Sequence, residues 1–219
     1  MQYFPLEKLA YIFSARSRQK KYAQFLSRMH PTKDTTILDV GVNTEEYSPT
    51  DNFLEKHYPH PENITVVATD KLETWNTLYP EIRSIKADGR ALPFEDDHFD
   101  IAYSNAVIEH IGDNAEQVRF LRELWRVSRS GFLTTPNRLF PIEVHTRVPL
   151  LHLILPKKYF DSFLKYIGKG WAADGYMHLL SEKELLSLFS QAGITGYTLI
   201  KNRFLGFPMT FTIVWKKYQ

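Results

Sequence analysis

Apolar residues recur along this chain with two different periods, and the periods alternate. Leu6, Leu9, Ala10 and Phe13 stand at helical spacing, the polar stretch Ser14 to Lys21 interrupts them, and Tyr22, Phe25, Leu26 and Met29 resume in another phase. That pattern predicts two helices with a bend over residues 5–29. Short β-rich runs follow at Ile37 to Val40, Ile64 to Thr69, Ile82 to Lys86 and Phe99 to Ser104. Between the first two lies a short helical run, Phe53 to Tyr58, stopped by Pro59 and Pro61. A helix is predicted over Ala115 to Val127, with Val118, Leu121, Leu124 and Trp125 on one face. Gly131 to Thr135 then reads as a fifth strand stopped by Pro136. Ser181-Glu182-Lys183-Glu184 is a capping box, Leu185, Leu188, Phe189 and Ala192 make its helix amphipathic, and Gly193 ends it. Tyr197 to Lys201 and Phe211 to Lys216 predict a hairpin at the sheet edge.

Four of the strands end in an acid, an amide or a glycine. Ile37 to Val40 contains Asp39 and runs into Gly41, the second strand runs into Asp70, the third into Asp88-Gly89, and the fourth into Asn105 with Glu109 and His110 just beyond. In an open α/β sheet such carboxyl ends line one edge, where ligands bind, and a parallel strand entering a glycine turn is the usual start of a nucleotide site. Each residue also has a plainer reading. Gly41 suits any sharp turn, Asp70 suits a helix N-cap for Leu72 onward, and Asp88 beside Gly89 suits a tight turn.

Length, charge and composition narrow the function class. A chain of 219 residues with 43% apolar content fits one globular domain with additions. No apolar run approaches the roughly 18–20 residues of a membrane-spanning helix, and the first residues lack a signal-peptide pattern. There is no cysteine, which excludes disulfides and thiolate catalysis and fits a cytoplasmic location. A net charge of +2 gives no case for nucleic acid. The eight histidines show no metal-ligand spacing, so no metal is expected.

The ordered set Ile-Leu-Asp-Val-Gly, Thr-Asp, Ala-Asp-Gly-Arg-Ala-Leu-Pro-Phe, Phe-Asp-Ile-Ala-Tyr-Ser-Asn and Ile-Glu-His resembles the class I S-adenosylmethionine-dependent methyltransferases, most closely the type 11 branch. Leu92-Pro93-Phe94 followed by Phe99-Asp100 is its most specific piece, and the likeness runs from about Lys21 to Pro136. The resemblance implies a Rossmann-like three-layer α/β sandwich with a seven-stranded, mostly parallel sheet and an antiparallel last strand. It implies S-adenosylmethionine as cofactor, held by Asp39, Gly41, Val42, Asn43, Asp70, Lys71, Asp88, Gly89 and Asn105. Asp70 would accept both ribose hydroxyls, since a carboxylate offers two acceptor oxygens. Asp88 would lie near the adenine amino group, and Asn105 would face the methionine part.

The chain departs from the family after Gly41. Relatives carry two further glycines where this chain has Asn43 and Glu45. Asn is the next best residue at positive φ, so Asn43 is expected to take a left-handed conformation and stand in for glycine, with Glu45 pointing away. Methyl transfer from a sulfonium is an in-line displacement, so the protein mainly positions the acceptor and removes its proton. His110 is the candidate base, or else a loop-ordering hydrogen-bond partner. Glu109, Arg138, His145 and Trp171 are candidate substrate contacts. Two rivals remain at this stage. A short-chain dehydrogenase would want Tyr-x3-Lys on a helix, and the one such pair, Tyr197 and Lys201, falls in a predicted strand. A protein that binds the cofactor weakly, without turnover, is suggested by Asn43 and Glu45.

Residues 141–171 form an unusual insert. Val148 to Leu155 is almost wholly apolar, followed by Lys157, Lys158, Tyr159, Phe160, Phe163, Leu164, Tyr166 and Ile167. It predicts one or two amphipathic helices, either a lid packed on the domain or a surface for a membrane or a greasy substrate, with Lys157, Lys158 and Lys165 toward anionic head groups. Arg16, Arg18, Lys20 and Lys21 read as a solvated face or as a surface for anionic lipid or a phosphorylated substrate. The acceptor expected from these features is a small molecule, sugar or lipid-linked intermediate methylated on oxygen. The oligomeric state is left open.

Overall fold

The computed structural model describes residues 5–143, 146–173 and 177–217, with 5–14 as helical backbone. The chain begins with one helix, α1 (Pro5–Met29), rather than two. The polar stretch that was expected to bend it holds Arg, Lys, Gln, Ser and Ala but neither Gly nor Pro, and such residues propagate a helix well. The helical phase that buries Phe25 and Met29 also buries Lys21 one turn earlier.

Seven strands follow in one sheet: β1 (Ile37–Val40), β2 (Ile64–Ala68), β3 (Arg83–Lys86), β4 (Phe99–Asn105), β5 (Ser128–Pro136), β6 (Tyr197–Phe204) and β7 (Phe207–Lys216). Their spatial order is β3-β2-β1-β4-β5-β7-β6. The first five are parallel, and β7 enters antiparallel between β5 and β6. Pro136 does not stop β5 before it. It occupies the strand's last position, opposite Thr210.

Helices cover both faces, which makes three layers. They are α2 (Phe53–His57), α3 (Glu73–Leu78), α4 (Asn114–Val127), α5 (Leu151–Ile154), α6 (Lys157–Tyr166) and α7 (Glu182–Ala192), with α1. On one face Phe120, Leu121 and Leu124 of α4 and Leu185, Leu188 and Phe189 of α7 pack on Leu38, Val40, Leu133 and Trp215. On the other, Phe25, Leu54 and Trp75 pack on Ile37, Val66, Tyr103 and Phe132. The ends are set locally. Asp113 caps α4 by accepting from Ala115 N at 3.0 Å and Glu116 N at 3.1 Å, and Ser181 with Glu184 forms the expected capping box.

The insert contains α5, α6 and a 3-10 turn at Gly170–Ala172. It holds a small core of its own, in which Leu164, Phe160 and Phe163 of α6 meet Val148, Leu151 and Ala172. The sheet has β2 on one side of β1 and β4 on the other, so the chain direction of the crossovers reverses between β1 and β4. A crevice opens at the carboxyl ends of such a pair.

Candidate active site

The crevice between β1 and β4 is a cleft of about 270 Å³ lined by residues from six parts of the chain. The β1 end gives Asp39, Gly41, Val42 and Asn43, α2 and its approach give Asn52 to Glu55, and β4 gives Tyr103, Asn105 and Ala106. His110, Arg18 of α1 and Trp171 of the insert complete the wall.

Gly41 is required at the turn on two counts. Its φ is +100°, and a Cβ there would lie 2.3 Å from Val107 Cγ2. Asn43 does not take the left-handed conformation expected of it. The left-handed residue in this loop is Asn52, at φ 50°. Its side chain accepts from Asn43 N at 3.0 Å and donates to Asn43 O at 2.9 Å, so a side-chain amide holds the loop in place of glycine flexibility. Glu45 is exposed and pairs with Tyr47 at 3.1 Å, away from the cleft wall.

Two buried carboxyls meet in the cleft. Burial raises Asp39 well above the usual carboxylate range, and the neighbouring Glu55 raises it further. Burial also raises Glu55. Like charges this close disfavour ionising both, so the pair holds a proton more tightly than free carboxyls do. Tyr103, buried beside them, is likewise pushed up by burial first and by the two acids second.

Across the cleft α1 delivers two cations. Arg18 donates to Thr50 O and, at 3.0 Å, to Asp51 Oδ1. Lys21 Nζ donates to Asn105 Oδ1 at 2.8 Å, and Thr134 Oγ1 donates to the same oxygen at 2.6 Å. A lysine can only donate, so this contact identifies the amide oxygen, and the Asn105 NH2 must point elsewhere. Burial pushes Lys21 down to about 8, Arg18 adds to the shift and Glu109 opposes it. Arg18 thus lines the cleft and Lys21 is buried against its Asn105, so neither lies on a solvated face, whereas Arg16 and Lys20 are exposed. The four-residue spacing from Phe25 was the available signal for Lys21. Glu55 carried none.

The other predicted residues divide. His110 lines the cleft and Glu109 lies buried behind it, accepting from Thr135 Oγ1 at 3.0 Å. Trp171 reaches the cleft although it is far along the chain. Asp70 and Lys71 are exposed at the end of β2. The cap at α3 is Leu72 without a side-chain bond, so Asp70 does not cap that helix. Asp88 is held by Arg90, with contacts from Nε at 2.9 Å and Nη2 at 2.6 Å, and Arg90 keeps it below the usual carboxylate range. A Cβ on Gly89 would lie 2.7 Å from the Phe120 ring, so this glycine makes room for α4. Arg138 pairs with Glu184 at 2.8 Å and is not in the cleft wall. His145 lies outside the described residues.

The residues suit an adenosyl amino acid. The close backbone approach at Gly41, the mixed charges of the cleft and the acids along the neighbouring strand ends fit a ligand that is a zwitterion at one end and a polar nucleoside at the other. Replacing Asp70 with alanine is expected to weaken S-adenosylmethionine binding by about 1.5–3 kcal/mol, the scale of hydrogen bonds to a charged group. Calorimetric binding at the parent's level would remove Asp70 from the site.

Comparisons with known proteins agree with this geometry. Residues 38–133 match the family model described as a methyltransferase domain. A search of curated proteins found no match. Among solved structures, the chain is similar to a SAM-dependent methyltransferase from Methanosarcina mazei, at 17% identity and TM-score 0.54 over 84% of this chain and 92% of that one. It is similar to a S-adenosylmethionine-dependent methyltransferase from Mesorhizobium loti, at 16% identity and TM-score 0.58 over 89% and 96%. It is also similar to geranyl diphosphate C-methyltransferase from Streptomyces coelicolor in complex with S-adenosyl-L-homocysteine, at 11% identity and TM-score 0.58 over 91% and 79%. At these identities the structures speak for the fold. With the methyltransferase-domain match over residues 38–133 and the cleft at the β1–β4 switch point, this chain has the fold of the S-adenosylmethionine-dependent methyltransferases and matches their domain over its central part.

Proposed function

We propose that this protein is an S-adenosylmethionine-dependent methyltransferase that acts on oxygen, on a hydroxyl of a lipid-linked or otherwise apolar-tailed acceptor, and meets anionic lipid through its insert. The observation that carries this reading is the outer surface of α5 and α6 within the insert. The inward side of α6 is occupied by its own small core. The outward side presents Tyr166 at 89% exposure, Ile154 at 71% and Tyr159, with Lys157, Lys158 and Lys165 among them. An apolar patch with basic residues on a helix matches an anionic membrane surface, where the rings and aliphatic groups enter and the ammonium groups stay at the head groups. No described helix is long and apolar enough to cross a membrane, so the contact is peripheral.

The same insert brings Trp171 to the cleft, 55% exposed and set to cover an acceptor. S-adenosylmethionine supplies the methyl electrophile when bound. The protein's task is to orient the acceptor oxygen and take its proton, and an imidazole nitrogen of His110 at the cleft wall is the group for that transfer.

The test is cosedimentation with phosphatidylglycerol liposomes, together with transfer of labelled methyl into the lipid or aqueous fraction of extracts. Salt-sensitive sedimentation, lost when Lys157, Lys158 and Lys165 are changed to Glu, and label in the lipid fraction support the reading. No sedimentation and label confined to water-soluble products would overturn it. Trp171→Ala is expected to raise the KM for the acceptor at least fivefold while leaving cofactor affinity within twofold, as loss of an aromatic acceptor contact requires. Equal loss of both would place Trp171 at the cofactor instead.

A further inference from the structure

The cleft carries an acid that nothing in the family resemblance called for. Glu55 is 5% exposed, lines the cleft beside Asp39, and its Oε1 has no hydrogen-bond partner. A buried carboxyl with an unmet acceptor is costly, and the usual reason to keep one at a site is a ligand that completes it. The same cleft is lined by groups of contrary chemistry, the Arg18 guanidinium and Asn105, whose amide oxygen is already held by Lys21 and Thr134. Buried acids and hydrogen-bond donors lining one cleft are complementary to an α-amino acid group.

The glycine loop gives a second reason. A glycine-rich turn offers free backbone N–H groups to a ligand, but here Asn43 N–H is already taken by Asn52 Oδ1. Side-chain charges must then supply what the loop does not. We propose that Glu55 is a cofactor-binding residue: with Asp39 it receives the α-ammonium group of S-adenosylmethionine, while Arg18 and the Asn105 amide receive the α-carboxylate.

This assignment has a protonic consequence. On this assignment the Asp39–Glu55 pair, in which burial raises both carboxyls, keeps one shared proton in the free protein. An ammonium group arriving between the two carboxyls stabilises both as carboxylates, so the proton leaves to solvent as the ligand binds. The charged and titratable groups around the pair are Arg18 on α1, Tyr103 on β4, Lys56 within α2, Glu46 in the loop before it, and His110 in the same cleft wall. Lys21 faces Asn105 and is already protonated below about pH 8. The Glu55→Gln comparison separates a proton released by the pair from one exchanged at His110.

The experiment is calorimetry at pH 7 in two buffers of different ionisation enthalpy, with S-adenosylhomocysteine and with methylthioadenosine, which lacks the amino-acid end. The parent protein is expected to release most of one proton with the first ligand and none with the second. Glu55→Gln, checked by its melting curve, is expected to weaken S-adenosylhomocysteine at least tenfold, abolish the release, and leave methylthioadenosine within twofold. Binding of S-adenosylhomocysteine without proton release, or the same release with both ligands, would overturn the proposal. So would a folded Glu55→Gln protein that weakens neither ligand or both equally. Should that variant fail to fold, the two-ligand comparison on the parent decides alone. A folded parent that binds neither ligand would remove the cofactor assignment itself, an outcome distinct from all of these.

Discussion

Phe25→Ala is expected to destabilise the protein by about 3–5 kcal/mol, the range for emptying a buried aromatic site, and to weaken cofactor binding as well. Phe25 is fully buried on α1. Its ring meets Tyr103 edge-on at 5.3 Å and 84°, and Phe132 at 5.5 Å and 82°. Those two rings are stacked on each other at 2° across β4 and β5. Three aromatic rings therefore anchor one helix to the middle of the sheet, in the edge-to-face geometry that adds to simple burial. Arg18 and Lys21 ride on that helix, and only its docking brings Lys21 to Asn105. Losing the anchor lets both cations withdraw. Urea unfolding and calorimetry with S-adenosylhomocysteine read the two effects, and the melting temperature is expected to fall on the order of 10 °C. A loss under about 1 kcal/mol with unchanged affinity would mean that α1 is held elsewhere.

Raising the pH from 8 toward 10 is expected to stabilise the fold by about 2–3 kcal/mol through Lys21, against the ordinary trend of alkaline loss. Burial brings Lys21 down to about 8 from its usual 10.5. Below pH 8 the native state must keep a charged ammonium out of water. Between 8 and 10.5 the native lysine is neutral while the unfolded chain still binds the proton, and stability rises with pH wherever the unfolded state binds more protons. Above about pH 10 the tyrosines reverse the trend. Tyr22, Tyr58 and Tyr103 are raised by burial, so the unfolded chain ionises first there. Lys21→Met is expected to flatten the rise between pH 8 and 10, and to weaken S-adenosylhomocysteine because Asn105 loses the partner that fixes its amide. Urea midpoints at four pH values decide this. A parent with no rise over that window would mean that water reaches Lys21.

The strands and most helices were legible because their causes are local. Ile37 to Val40, Ile64 to Ala68 and the capping box at Ser181 state their own structure within a few residues. The polar strand ends were legible for the same reason, and the order of the motifs was enough to name the cofactor and to put Asn105 and His110 at one rim. Those two residues do share the cleft wall, together with Asp39 and Gly41.

What the sequence could not show depends on pairs far apart in it. Lys21 and Asn105 are 84 positions apart, and Arg18 and Asp51 are 33. A run of cations with no visible partner looks solvated, and only helix docking revealed that two of the four face inward. Asn43 was expected to replace a glycine by its own conformational tolerance, a local argument. The structure instead gave the left-handed position to Asn52 and let its amide hold Asn43, which is a contact between residues nine apart. Asp88 looked available and is clasped by Arg90, itself tied to Glu116 on α4. By itself, then, the sequence determined the elements, their order and the chemistry offered at each strand end, because period, capping and turn preference act over a few residues. Only the tertiary structure decided which charges share a cleft, because the burial that raises both Asp39 and Glu55, and the repulsion between them, exist only when separate segments pack together.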